Sequence, residues 1–200
     1  MSKHGKDRII EGAKKIISEN GINGATIRGI AKEAGLSTGA IYHYYSSKEE
    51  ILYDVMNVSL SVSTRISNEL KEGVLSRDQS IKEISENILK RFEKTDENRI
   101  QFYLAQEAIL GEIQLREKFK GKYSEWIVHV EEILEKLYGK KKCRLTPAIA
   151  SILIGAIDGL VLQNLLGVNE ASTEEIVEAY DLMIREGIPK LLDIFTKPSP

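Results

Sequence analysis

A single cysteine among 200 residues, Cys143, excludes an internal disulfide, and no CxxC partner or metal-ligand spacing surrounds it. Histidine is almost as scarce: His4, His43 and His129 are too scattered to form a metal site, so no metal and no cofactor are expected. There is no GxSxG, HExxH, P-loop or GxGxxG, so the common hydrolase, zinc-protease and nucleotide-binding chemistries have no motif here. No run alternates with period two between turn residues, and there is no internal repeat or low-complexity tract. The basic start "MSKHGKDR" is not followed by the continuous apolar core of a secretory leader, and a cytoplasmic chain is expected. The most apolar stretch, "PAIASILIGAIDGLVLQNLLG", has the length of a membrane span, but Asp158, Gln163 and Asn164 interrupt it and would be costly in lipid. A buried helix of a soluble protein is expected there, with no membrane partner.

What is present is the mix of an ordinary globular protein, 42% apolar and 29% charged. Charge is unevenly spread. Residues 1–48 hold eight Lys or Arg against four acids, while the remainder holds 20 against 26. A basic head on an acidic body suits a chain of which one end meets a polyanion.

The apolar period is helical throughout, and the expected fold is all-α with about nine helices. Ile9, Ile10, Ala13, Ile16 and Ile17 share one face of a first helix over residues 6–20, which Gly21 ends. Thr26 caps a short second helix that faces inward through Ile27, Ile30, Ala31 and Ala34, and Gly35 breaks it. Ser37 caps a short third helix ending near Tyr44 or Tyr45. Ser47 and Glu50 form a capping box that opens a long fourth. Breaks near "SRDQS", "KTDEN", Gly111 and "YGKKKCRLTP" mark the middle helices. Thr146 as cap with Pro147 behind it opens the eighth, and a Ser172–Glu175 box opens the ninth. "GKKKCR" reads as a solvated loop.

The eighth helix is apolar on two faces, one of Ile149, Ile152, Leu153, Ala156 and Leu160, the other of Ile154, Ile157, Val161 and Leu165. The ninth offers Ile176, Tyr180, Met183 and Ile184, then Ile188, Leu191, Leu192 and Phe195. One face serves the chain's own core; the second asks for a partner, and a two-fold homodimer is the common solution. The expected interface is Ile154, Ile157, Val161, Leu165, Tyr180, Met183, Ile184 and Leu191. The alternative is a helix buried wholly within one chain.

Two short helices joined by "EAGLS" have the helix-turn-helix pattern, whose second helix enters the major groove of DNA. In the third helix Ile41 and Tyr45, with Leu36 before it, point to the small core. Thr38 with Tyr42 and Gly39 with His43 are then left facing outward. Hydroxyls and aromatic edges there suit phosphates, base edges and thymine methyls.

The run "ATIRGIAKEAGLSTGAIYHYYSSKEEIL" resembles the DNA-binding domain of the TetR family of transcriptional regulators, over about residues 8–54. The resemblance implies a helix-turn-helix domain over 1–48 and a helical ligand-binding and dimerisation domain over 49–200. It implies that Thr26 and Arg28 reach the DNA backbone, that Thr38, Gly39, Tyr42 and His43 lie in the groove with Ser37 at its edge, and that Lys48 pairs with a phosphate. Tyr44 stands where His is frequent and Tyr45 where Phe is usual; Tyr44 either meets a phosphate or packs. The family also implies double-stranded operator DNA as partner, dimerisation through helices eight and nine, and a small-molecule effector, here lipophilic or aromatic, that releases the operator. Helix four, from Lys48 to Tyr53, Met56 and Leu60, would be the lever. Candidates to line a ligand pocket are Met56, Phe92, Phe102, Tyr103, Gln106, Trp126 and Val130, each equally placed to be core, with His129 and Glu107 as polar neighbours of Trp126. The function expected is a ligand-responsive dimeric repressor. The alternatives are a DNA-binding regulator whose body holds a protein partner, and an all-α enzyme.

Overall fold

The computed structural model describes residues 3–60 and 62–196, and all regular structure among them is helical. In order these are α1 (Lys3–Gly24), α2 (Ile27–Glu33), α3 (Thr38–Tyr42), α4 (Lys48–Leu60), α5 (Val62–Lys71), α6 (Arg77–Glu93), α7 (Thr95–Leu110), α8 (Ile113–Tyr138), α9 (Thr146–Leu166), α10 (Thr173–Leu182), a π turn (Met183–Gly187) and α11 (Ile188–Thr196). With α4 and α5 taken together on either side of Ser61, and α10, the π turn and α11 as successive parts of one rod, the count is nine. The chain forms two compact units, Met1–Leu60 with Lys94–Glu117 and Ser61–Glu93 with Lys118–Pro200.

In the first unit α1 packs on α2 and α4, and α4 packs on α7. Ile9, Ala13 and Ile17 of α1 are buried with Ile30, Ala31, Ile41, Ile51, Leu52, Val55, Met56, Ile100 and Leu104. This is the 3.6-residue periodicity of the sequence turned into one core. Gly21, at φ 70°, interrupts α1 where a break was expected, although helical backbone resumes to Gly24. The α2–α3 turn is held from outside. Arg8 of α1 donates to the carbonyls of Ala34 and Gly35, satisfying acceptors that the end of α2 leaves open. Gly35 has φ +63°, and a Cβ there would come within 2.7 Å of the Arg8 guanidinium, so glycine is required on both counts. The third helix ends at Tyr42, short of the expected Tyr44 or Tyr45, though the amides of Tyr44 and Tyr45 still bond to the Ile41 carbonyl.

In the second unit α6 packs on α10, α9 and α5. Tyr180, Ile184, Ile188 and Leu192 are buried along the last rod, opposite Ile149, Ala150, Leu153 and Val161 of α9 among other core residues. The Tyr180 hydroxyl donates to the Leu153 carbonyl at 3.0 Å, and burial drives that phenol well above its ordinary pKa. Contacts between α5 and α8 are largely polar: Thr64 Oγ1 to His129 Nδ1 at 3.2 Å, and Ser67 and Lys71 both to Glu132 at 2.7 Å. The Ser172–Glu175 box forms in both directions. Thr146 differs from expectation. Helix α9 starts one residue early, from Leu145 as cap, because the Thr146 hydroxyl turns back to accept the Cys143 amide at 2.8 Å within a tight 143–146 turn. Phe195 lies outside the residues whose side chains are described.

Candidate nucleic-acid interface

Two hydroxyls build the local frame. Thr26 Oγ1 accepts the Gly29 amide at 3.0 Å and Ser37 Oγ accepts the Ala40 amide at 3.1 Å, so each caps its helix and keeps its own O–H to donate. Ile41 and Tyr45 anchor α3 from beneath. Tyr45 donates to Asp54 of α4 at 2.9 Å, and burial, then the Asp54 carboxylate, push its phenol far above the ordinary range. With that side fixed inward, Thr38, Gly39, Tyr42 and His43 are turned to solvent. Tyr42 is 59% exposed, a large aromatic spent on no internal packing. At Gly39 an added Cβ would meet only Ser37 Oγ, at 3.9 Å, so nothing in the chain requires glycine there.

Tyr44 is half-buried. Its ring meets His43 edge to face, with centroids 5.6 Å apart, and its hydroxyl lies so close to Gly5 of α1 that a Cβ there would stand 2.4 Å from it. Of the packing and phosphate alternatives, this geometry is that of packing. Lys48 is also half-buried. Its ammonium donates to the Ile22 carbonyl at 3.4 Å and lies 5.8 Å from the centroid of the Tyr103 ring. The Ser47 hydroxyl accepts the Glu50 amide at 3.2 Å, while the Glu50 carboxylate takes the Ser46 amide and hydroxyl at 2.8 Å each.

The positive charge of the head is partly spent internally. Lys6 pairs with Asp54, Lys14 with Glu11, and Lys15 with Glu33. Arg28 and Lys32 are exposed on one face of α2, four residues apart, and no carboxylate among the described residues pairs with either. Sequence reasoning named Arg28 and passed over Lys32 and Arg8. The i, i+4 spacing could have found Lys32, whereas the clamp made by Arg8 joins residues 26 and 27 positions apart.

The ligand candidates divide between the units. Met56, Phe102, Tyr103 and Gln106 belong to the first, where Met56 is fully buried, Phe102 and Tyr103 half-buried and Gln106 exposed. Burial raises the Tyr103 phenol above its ordinary pKa, helped by Glu49 and Glu107. Phe92, Trp126 and Val130 belong to the second, with Phe92 and Trp126 buried and Val130 half-buried. Trp126 is 7% exposed, and its indole N–H has no hydrogen-bond acceptor. It stacks edge-on against Tyr123 at 5.1 Å, beside the Lys122 ammonium. Tyr123 in turn donates to Asp158 at 2.5 Å, with Arg91 at 3.8 Å from the same carboxylate.

Among the expected interface residues, Val161, Tyr180 and Ile184 are buried within their own chain and have no area to offer a partner. Ile154, Ile157 and Leu165 are half-buried, and Met183 and Leu191 exposed. The apolar side chains that α9 and the last rod turn to solvent also include Ile152, Leu162, Leu166, Leu182 and Ile194, which the period read from sequence did not assign.

Residues 9–55 match the family model of bacterial regulatory proteins, tetR family. The chain is similar to the HTH-type transcriptional regulator PksA of Bacillus subtilis, 36% identical over 96 residues that make up 48% of this chain and 45% of that protein. To the HTH-type transcriptional regulator BetI of Vibrio atlanticus it is 28% identical over 182 residues, 88% of each chain. The chain spans about half the length of the first curated relatives it matches. Among solved structures, a regulator from Saccharomonospora viridis in complex with choline superposes with a TM-score of 0.68 at 21% identity, over 92% of this chain and 97% of that one. Thermus thermophilus FadR, a repressor in complex with lauroyl-CoA, does so at 0.66 and 16% identity, over 98% and 97%. At these identities the two structures establish the shared fold.

Proposed function

We infer that this chain, which belongs to the TetR family of bacterial regulatory proteins, is a dimeric DNA-binding transcriptional repressor released from its operator by a small molecule. The observation that carries the reading is the outward face of α3. Thr38, Gly39, Tyr42 and His43 are covered by no part of their own chain while Ile41 and Tyr45 hold the helix from behind. A recognition helix needs that arrangement, with Thr26, Arg28 and Lys48 supplying sequence-independent backbone contacts around it. Ser37 serves the same face through its free O–H, and Tyr44 serves it by fixing His43. The functional division is the one read from sequence, a head over 1–48 and a body over 49–200.

A homodimer is supported by α9. It is the one helix among the described residues long and apolar enough to cross a membrane, with a window hydropathy of 1.8, yet only 22% of that window is buried in its own chain. Lipid is disfavoured by Asp158, engaged with Tyr123 and Arg91, and a second copy is the other apolar partner available. We place the interface on Ile152, Leu162, Leu166, Leu182, Met183 and Leu191, with Ile154, Ile157 and Leu165 at its margin. Operation is in the cytoplasm, where bacterial DNA is.

For the effector, the relevant feature is the buried, unmatched Trp126 N–H, a donor whose isolation costs about 1–3 kcal/mol. An effector with an apolar body and one hydrogen-bond acceptor would relieve it, in keeping with a lipophilic or aromatic ligand. Phe92 and Val130 would supply apolar contacts within the second unit; Met56, Phe102, Tyr103 and Gln106 remain candidates in the first. Because Trp126 is the only tryptophan, intrinsic fluorescence reports directly on its surroundings. The test of the whole reading is DNA binding by the purified protein to its own promoter region and to random duplex at moderate salt. A clear preference for the promoter, abolished by Tyr42→Ala with the dimer intact, is expected; equal affinity for both would sink it.

A further inference from the structure

We propose that Tyr103 is a positioning residue that holds the Lys48 ammonium in an internal seat, in competition with a DNA phosphate. The proposal rests on the DNA-binding reading and concerns the regulation of that same face. Lys48 opens α4, and its ammonium contacts two groups from other helices of the same compact unit: the Ile22 carbonyl near the end of α1, at 3.4 Å, and the Tyr103 ring of α7, at 5.8 Å. Both present negative charge to a cation, the carbonyl through its oxygen and the ring through its face. Glu49 and Glu107 lie near enough to act on the Tyr103 phenol and add to the negative field of the seat.

The seat is a weak one. The hydrogen bond is long, the ring distance is near the outer limit for a cation–π contact, and no carboxylate among the described residues forms an ion pair with Lys48. A carboxylate in that place would immobilise the lysine; a carbonyl and a ring let it go when a phosphate is offered. To reach a phosphate the four-carbon stem must swing the ammonium off the ring, so whatever the seat contributes in the free protein is subtracted from DNA affinity. Tyr103 thereby sets how much of the Lys48 charge DNA can use, without touching DNA itself.

The test needs no operator, because a phosphate contact is sequence-independent. A random-sequence 30-base-pair duplex is titrated by fluorescence anisotropy between 50 and 200 mM salt. Tyr103→Leu and Tyr103→Met, which remove the ring but keep an apolar side chain, are expected to bind about two- to five-fold more tightly than wild type at the lowest salt, the span of an exposed cation–π contact. Tyr103→Phe, which keeps the ring, should match wild type. In a Lys48→Ala background the Leu and Met substitutions should change nothing. Weaker or unchanged binding by both ring-less variants overturns the proposal, as does a gain that persists without Lys48. Thermal melts identify any variant that loses affinity through misfolding, and the other ring-less variant then decides. Wild-type protein that fails to bind the duplex at all would remove the DNA-binding reading, whereas normal wild-type binding with no Tyr103 effect removes this proposal alone.

Discussion

Gly39→Ala is expected to stabilise the protein and weaken its hold on DNA. Residue 39 is the second position of α3, its φ is not positive, and the nearest atom to an added Cβ, Ser37 Oγ, is 3.9 Å away. The methyl therefore meets no obstacle, and the helix gains the usual alanine advantage of about 0.5–1 kcal/mol. For a chain of this size that raises the melting temperature by about 1–4 °C. The same methyl projects from the face assigned to DNA. If the backbone of α3 lies against the groove, the methyl overpacks that contact by about 1–3 kcal/mol, a five- to hundred-fold loss of affinity. Thermal unfolding without DNA and promoter binding at fixed salt measure the two effects separately. A higher melting temperature with unchanged DNA affinity would refute close approach at Gly39. A lower melting temperature would refute the account of α3 as an unobstructed helix.

Gly5→Ala should lower the melting temperature, because its Cβ would stand 2.4 Å from the Tyr44 hydroxyl; Tyr44→Phe in the same chain should recover most of the loss, and a double mutant no better than Gly5→Ala would show that the clash is not with that hydroxyl. The Thr146 hydroxyl, and then nearby backbone amides, hold the Cys143 thiol below its ordinary pKa. Iodoacetamide should therefore label Cys143 with a pH midpoint below that of free cysteine, and Thr146→Val should move the midpoint up; the opposite movement would contradict the hydrogen bond at Sγ. Leu182→Lys, at an exposed position on α10, should shift light-scattering mass from dimer to monomer with helicity unchanged, and a dimer that persists would move the interface elsewhere.

The head was the legible part. Its determinants are local: Thr26 and Ser37 reach only three residues to cap, and Ile41 and Tyr45 are one turn apart. Arg8, by contrast, acts across the fold, and no spacing rule anticipates a guanidinium from α1 on the end of α2. The seat of Lys48 was invisible for the same reason, since Tyr103 is 55 residues away along the chain. In α9 the difficulty was different. A helix apolar all round gives no phase, so Val161 was assigned outward and is wholly buried while Ile152 is exposed. Thr146 showed the limit of cap signals, because its hydroxyl had a nearer amide to serve at Cys143.

The π turn at Met183–Gly187 sets the register of the last rod. Tyr180, Ile184, Ile188 and Leu192 recur every four residues, and on a regular α-helix each such step overshoots a full turn by about 40°. Three steps would carry Leu192 about 120° away from Tyr180, far enough to leave the core. The π turn winds less per residue and takes up that drift, so that one stripe stays against the core from α10 into α11. Deleting a single residue within it would restore regular winding and rotate all that follows by about 100°, exchanging the buried and exposed edges of α11 without altering any of its side chains.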